Sequence, residues 1–517
     1  MKYFNRGFVL ENKFLFIIAL ANFLIVYSSS FIKGYGYFID EFYYIACAVR
    51  PAMGYVDHPP LAPLILTVFQ FIFGTSIAAI RLLPALAESA SVFFIGILAK
   101  ETGGGRFAQC LAAVTLAASP IIVTMAGFYS MNAYEPLIAI LLLIYTVKMT
   151  NENNPKRWIT LGVIMGLGIM NKHTFAVFII VLVFSLLVTG KWRLVINKWF
   201  AAGSLITLLI FLPNIIWQVF NNWPSIEFYR NVTLHKNVYT PPLTFFLTQV
   251  LDMSPATFPV WIAGIIFLLF SKKAKDVKFL SVLFLSLFLI MMLSGSSRPD
   301  RLAFAYPAVF VGGAIFFESF ILKHNIKWLK GALIIFLLIG LALAIPITLP
   351  YFNYEFVSRY TKSMGFNTEL EAGNKPLLPQ LLADKIGWEE KFKLVLNAYN
   401  SLTEKEKAET IIAAGNYGQA GAIELFGKKY NNFPAVVCGH NTYYLWSKNE
   451  LHGSIVLQLG KPEDINWIKE RFKKVEQFPG EYTNPYVTPH ENHLVVFICR
   501  EPKIPYSKML EQGKFYY

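Results

Sequence analysis

Residues 14 to 31 read FLFIIALANFLIVYSSSF and residues 34 to 44 read GYGYFIDEFYY. The first stretch holds no charge and is long enough, at 1.5 Å per helical residue, to cross a hydrocarbon layer. Lys2, Arg6 and Lys13 precede it, but no cleavage site of small residues follows, so it reads as an uncleaved first helix. The second stretch places two adjacent carboxylates, Asp40 and Glu41, among aromatic residues just beyond that helix. The whole chain follows this opening. Of its 517 residues 55% are hydrophobic and only 15% charged, and the mean hydropathy is +0.48. A soluble globule is excluded as the main body of the molecule.

Further apolar runs lie at 82 to 99, 107 to 126, 133 to 147, 199 to 220, 245 to 270, 279 to 296, 302 to 322 and 329 to 350, with two shorter ones at 158 to 170 and 174 to 190. Together they predict a multi-pass α-helical membrane protein of about eleven spans. The run at 61 to 73 is short and follows Pro59-Pro60, so it is expected to lie along the membrane surface. Lys and Arg collect after alternate runs, at Lys100 and Arg106, at Lys148, Lys156 and Arg157, at Lys191, Arg193 and Lys198, at Lys272 to Lys278 and at Lys323 to Lys330. By the positive-inside rule those loops and the N-terminus are cytoplasmic. The net charge of +14 is therefore a membrane-flanking pattern and not the footprint of a nucleic-acid binder.

After residue 350 the composition becomes mixed. Strand-like segments at 435 to 438, 454 to 459 and 494 to 499 alternate with turn-rich stretches and helix signals, as in a small α/β domain. An odd number of spans places it outside. The division expected is 1 to 350 for the membrane domain and 351 to 517 for the extracytoplasmic domain. AGNYGQAG (414–421) reads as a tight turn into a helix rather than a nucleotide loop, since its glycine spacing differs from Gly-x-Gly-x-x-Gly. The four cysteines form no Cys-x-x-Cys pair; Cys438 and Cys499 read as free buried thiols, with pairing as the alternative.

Candidate chemistry gathers in the outer loops. Asp40 and Glu41 read either as acids opening a surface helix or as a general base at the water–lipid boundary. DHPPLAP (57–63) holds His58 at a rigid Pro-Pro turn, and Arg81 begins RLLP (81–84). GFYSMNAYEP (127–136) offers Asn132 and Glu135, NKH (171–173) offers Lys172 at the apex of two short runs, and SRPDR (297–301) offers Arg298 and Arg301, with Asp300 as a partner for one of them. A lysine at such depth reads as functional or as snorkelling to headgroups. NWPSIEFYRN (222–231) suits an interfacial belt or a sugar platform.

Asp40-Glu41, His58-Pro-Pro-Leu61 and Arg81, in this order and on one side of the membrane, resemble the membrane glycosyltransferases of the C-type (GT-C) fold, family 39. The relatives in question are the protein O-mannosyltransferases and the lipid A aminoarabinose transferases. The resemblance covers roughly residues 10 to 350, and AGNYGQAG with Gly439-His-Asn441 resembles the tail of bacterial members. It implies an inverting transfer of a sugar from a polyprenyl-phosphate donor to a hydroxyl of an extracytoplasmic lipid, polysaccharide or protein at the bacterial inner membrane. It further implies Asp40 as base, Glu41 as its orienting partner, and His58, Arg81 and Lys172 near the donor phosphate; Arg298 and Arg301, read from the residues alone, either clamp that phosphate or pair with Asp300. The family usually has Asp where Asn132 stands, so a second carboxylate for a divalent metal could come only from Glu135, which argues against a metal here, and the resemblance implies no other cofactor. The rival reading is a lipid-linked glycan transporter; it would place ionisable residues at midplane on broken helices, with internal repeats.

Overall fold

The structure, a computed structural model, describes residues 6–295, 298–366, 368–371, 373, 375–451 and 453–517. Six helices among these are long and apolar enough to cross a membrane: Lys13–Phe31, Ile77–Glu101, Met131–Asn151, Lys198–Phe220, Pro307–His324 and Trp328–Thr348. The expected span at 107 to 126 is broken into Arg106–Ala117 and Pro120–Ala126, bent by 65°. Pro120 has no N–H to continue the ladder and biases Ser119 away from helix. This pair counts as a seventh span. The expected run at 245 to 270 is likewise two helices, Pro242–Asp252 and Phe258–Phe270, separated by Ser254 at positive φ and by Pro255. Phe175–Val188, Phe258–Phe270, Phe279–Ser294 and Leu61–Phe73 are apolar helices below spanning length. The expectation of about eleven full spans is thus met by six or seven by length, with shorter helices packed among them.

Lys198–Phe220 shows what solvent this bundle is built for. Its buried residues are Gly203, Asn214 and Gln218, whereas Leu205, Leu209, Ile216 and Phe220 are exposed. A water-soluble helix is apolar inside; this one is polar inside and apolar outside, as suits a helix facing lipid. Where helices approach closely, small residues make room. A Cβ on Gly264 would lie 1.9 Å from the Val309 carbonyl oxygen, and one on Gly313 would lie 1.9 Å from that of Val260. The helices Phe258–Phe270 and Pro307–His324 can therefore touch backbone to backbone.

The C-terminal region carries a five-stranded mixed sheet, order β2-β1-β3-β5-β4, made of β1 (Thr410–Ala413), β2 (Val436–Val437), β3 (Ile455–Gly460), β4 (Phe472–Gln477) and β5 (Val495–Pro502). β1 pairs parallel with β2 and β3; β5 runs antiparallel to β3 and β4. The three strand-like segments of the sequence are β2, β3 and β5. β4, reading FKKVEQ, escapes sequence reasoning because an edge strand is mostly solvated and carries charge. AGNYGQAG is a turn into the helix Tyr417–Gly427, capped by the Asn416 side chain accepting from the Gln419 N–H at 2.9 Å. All four cysteines are free.

The helix Ile39–Val49, from the first loop, does not rest on the membrane domain alone. Phe42, Tyr43, Ala46, Cys47 and Tyr55 share one apolar core with Trp388, Phe426, Tyr443, Leu457 and Ile498 of the C-terminal region. Gly421 brings Tyr417–Gly427 against Phe42 of that helix, and Arg50 forks onto Glu424 at 3.0 and 2.7 Å. The loop carrying the paired carboxylates is thus built into the domain that caps it.

Candidate active site

Asp40 and Glu41 open the helix Ile39–Val49 at its second and third positions, and their side chains part company. Glu41 is fully buried. Its carboxylate accepts from Arg81 Nε at 2.8 Å and Nη2 at 2.7 Å, from the Tyr129 N–H at 2.9 Å and from the Phe38 N–H at 2.7 Å. The helix-capping role expected for one of the two acids therefore falls to Glu41. Arg81, 2% exposed, also donates to the Gly36 carbonyl at 2.8 Å. Its guanidinium ties the first loop to the start of the helix Ile77–Glu101, and through the shared Glu41 carboxylate to the Tyr129 N–H; it lines neither cavity, where the resemblance implied a phosphate contact.

Asp40 looks the other way. It stands on the common wall of two cavities, together with Asn132, Lys236, Arg298, Tyr417 and Tyr517. Tyr417 donates its hydroxyl to Asp40 Oδ1 at 2.8 Å, across 377 residues of chain. Burial pushes the Asp40 carboxyl above the usual range, and the Tyr417 hydrogen bond offsets only part of that rise. The result is a carboxylate more basic than a solvated one, placed where a small molecule can reach it.

The smaller cavity, about 210 Å³, lies among the membrane-side loops and is lined by Lys172, Lys236, Arg298 and Arg301 together with Asp57, Glu135 and Tyr229. Lys172 Nζ donates to Asn132 Oδ1 at 2.9 Å and to Glu135 Oε2 at 2.8 Å, so it is held on the cavity wall. Lys236 and Arg298 meet Glu371 at 3.2 and 3.4 Å, and Arg301 reaches Asn237 Oδ1 at 3.3 Å. The Asp300 side chain and Ser297 lie outside the described residues. The larger cavity, about 730 Å³, runs from Asp40 beneath the C-terminal sheet to Trp467.

His58 is 1% exposed and does not line either cavity. Its ring is stacked on Tyr44 with centroids 4.8 Å apart, and Nδ1 lies 2.9 Å from the Pro59 carbonyl. It fixes the turn whose neighbour, Asp57, does reach the smaller cavity and accepts from Tyr43 Oη at 2.7 Å. Asp57 stands in the same DHPPLAP motif, and nothing in its local sequence marks it, ahead of His58, as the residue that reaches the cavity. Tyr417, Lys236 and Glu371 carried no local signal, since only tertiary packing brings them to Asp40. For a divalent ion the donor set does not fit: Glu135 is engaged by Lys172, its neighbour is the amide of Asn132, and no group of three or more His, Cys, Asp or Glu assembles among the described residues.

A bundle of membrane helices whose first loop carries a cavity-facing carboxylate, capped by a small C-terminal α/β domain, is the architecture of the GT-C glycosyltransferases, and this chain is a multi-pass membrane protein of that fold. Two comparisons carry the assignment. The profile of the dolichyl-phosphate-mannose-protein mannosyltransferase family matches residues 57–217, and the crystal structure of ArnT from Cupriavidus metallidurans in the apo state superposes with a TM-score of 0.63, covering 93% of this chain and 97% of that one at 14% identity. The same protein bound to undecaprenyl phosphate gives 0.60 at 13% identity over 93% and 97% of the two chains. The Archaeoglobus fulgidus oligosaccharyltransferase gives 0.53 at 15% identity, over 90% of this chain and 71% of that one. An uncharacterized protein of Aquifex aeolicus is 24% identical over 311 residues, 58% of this chain and 60% of its own length.

Proposed function

We propose that the chain is an inverting glycosyltransferase that moves a sugar from a polyprenyl-phosphate donor to a hydroxyl of an extracytoplasmic acceptor. The observation that carries this reading is the place of Asp40, on the wall shared by a cation-lined cavity and a larger cavity open to the C-terminal domain. The donor phosphate would sit among Lys172, Lys236, Arg298 and Arg301, with its prenyl chain leaving into the bilayer. The acceptor would come through the larger cavity. Asp40 takes the proton of the acceptor hydroxyl, the oxygen forms a bond to the anomeric carbon, and the bond from that carbon to the lipid phosphate breaks on the opposite face. Inversion follows from that single displacement. The departing phosphate needs no acid, because its charge is met by the cations that line its cavity. Glu41 and Arg81 hold the loop so that Asp40 faces the reacting carbon. The binding of undecaprenyl phosphate by ArnT supports this donor class.

In this reading the active site and the C-terminal domain lie outside the bacterial inner membrane and the N-terminus lies in the cytoplasm, which labelling of single cysteines in intact cells checks. The reaction itself is tested by mass spectrometry of envelope glycolipids and polysaccharides from cells with the wild-type chain, a deletion and Asp40→Asn. One species is expected to lose a single sugar in both the deletion and Asp40→Asn. A wild-type profile in Asp40→Asn, with lipid-linked sugar accumulating in the deletion, would turn the assignment to transport.

A further inference from the structure

The two cavities that meet at Asp40 differ in charge. The smaller one collects four cations against the carboxyls of Asp40, Asp57 and Glu135. Beyond Lys236 and Arg298, which it shares with the smaller one, the larger cavity has Lys461 as its one fixed cation among the described residues, and Lys461 is 4.0 Å from Glu463. Against it stand the carboxyl groups of Glu463 and Asp464, while Glu371 is met by Lys236 and Arg298, Glu491 by the buried Lys391 at 2.8 Å, and burial pushes the Asp384 carboxyl toward its neutral form. His440, on the same wall, is held neutral by burial, its pKa pushed down to about 3. A phosphate-bearing molecule brought to the Glu463–Asp464 end of this wall would meet two carboxylates with Lys461 as their counter-charge.

Two further features point to what the wall does take. Trp467 lines the cavity with 45% of its surface exposed, although it is a large aromatic side chain. Its other side is braced by Arg471, whose guanidinium lies 3.8 Å from the ring centroid and also donates to the Trp467 carbonyl at 2.9 Å and to Gln512 at 2.9 Å. A fixed, open indole face suits the C–H face of a pyranose ring. Gln380, 6% exposed, lies on the same wall. It helps hold the Glu371 carboxyl below its ordinary value, and its Oε1 has no partner. A buried carbonyl without a donor is costly, and a ligand hydroxyl would relieve it. Carboxylates and amide oxygens that accept from hydroxyls, with an aromatic platform beside them, form a saccharide-binding wall.

We infer that the larger cavity receives an uncharged, hydroxyl-bearing sugar residue of a glycan as the acceptor, and discriminates against phosphate-bearing acceptors. This rests on the transferase reading above. The test takes the species that gains one sugar only when the chain is present and locates the new bond by tandem mass spectrometry. A bond to an uncharged sugar residue is expected. Recovery in the lipid extract assigns the glycan to a lipid anchor, and recovery in the aqueous phase to a free polysaccharide; both fit. A bond to a phosphate-bearing or carboxylate-bearing residue, or to a protein side chain, overturns the inference while leaving the transferase reading intact. If no species gains a sugar, the transferase reading falls and takes the inference with it.

Trp467→Ala is expected to lower product at least 10-fold while the purified protein binds undecaprenyl phosphate as the wild type does; wild-type product overturns the platform. Should Trp467→Ala accumulate poorly, Glu463→Lys on the exposed rim decides the sign. An uncharged acceptor predicts product that does not rise, and a rise of several-fold marks an anionic acceptor and overturns the inference.

Discussion

Replacing Arg81 separates a positioning residue from a phosphate contact. The Arg81–Glu41 pair is shielded from water on both sides, with side chains 2% and 0% exposed, and Arg81 makes two bonds to the carboxylate and one to the Gly36 carbonyl. Arg81→Met fills the space of the stem but leaves a buried carboxylate facing only the N–H groups of Phe38 and Tyr129. Breaking one side of such a pair costs about 3–5 kcal/mol. The first-loop helix shares its core with the C-terminal domain, so the loss is felt by a unit on the order of 200 residues. At about 2–4 °C per kcal/mol the thermal midpoint should fall by roughly 6–20 °C. Glu41→Gln in the same chain removes the stranded charge while keeping an acceptor for one N–H, and is expected to restore most of the loss, giving a coupling of about 2 kcal/mol or more. The assay is thermal unfolding of the four purified proteins in detergent, paired with binding of undecaprenyl phosphate. Unchanged stability in Arg81→Met, together with a 10-fold or greater loss of undecaprenyl phosphate affinity, would refute the positioning role and return Arg81 to the donor.

Tyr417→Phe removes the hydroxyl that favours the charged form of Asp40, so the carboxyl rises further and the acid limb of the pH–activity profile moves to higher pH; an unmoved limb would remove Asp40 as the titrating base. Lys385 is buried, donates to the Gly127 carbonyl at 3.2 Å and has its pKa pushed down to about 7 by burial, with Arg81 adding to it. Below about pH 7 the folded protein carries this charge at full cost, and stability rises as pH increases from about 7 to the ordinary lysine value of 10.5. Lys385→Met should therefore raise the thermal midpoint most at pH 6 to 7, with the gain shrinking toward pH 10; a gain that grows with pH contradicts this. Gly421→Ala would put a Cβ 2.8 Å from Phe42 Cβ and 2.9 Å from the Phe42 backbone carbonyl. The overpacking costs about 1–3 kcal/mol and shifts Tyr417 relative to Asp40, so product formation should fall more than thermal stability does.

Much of the architecture was written in the linear pattern of the chain. Uncharged runs long enough for a bilayer, basic residues after alternate runs and a change of composition after residue 350 follow from solvent preference alone, and each is a property of a residue and its close neighbours. Asp40, Asn132, Glu135, Lys172, Arg298 and Arg301 were legible because ionisable and polar residues in the loops between apolar runs stand out against an apolar background. Helix breaks at Pro120 and Pro255 were less so, since a hydropathy run averages over a single missing hydrogen bond.

What tertiary structure decided is which acid does what. Asp40 and Glu41 are chemically alike and adjacent, yet the helix that carries them points one at Arg81 and two backbone N–H groups and the other at a cavity. The same holds for Arg81 and His58, whose packing withdraws them from the cavity walls, and for Asp57, Lys236 and Tyr417, which arrive there from loops far apart in sequence. Residue type states what a side chain can donate or accept. Burial and direction, which depend on contacts between segments hundreds of residues apart, settle what it meets.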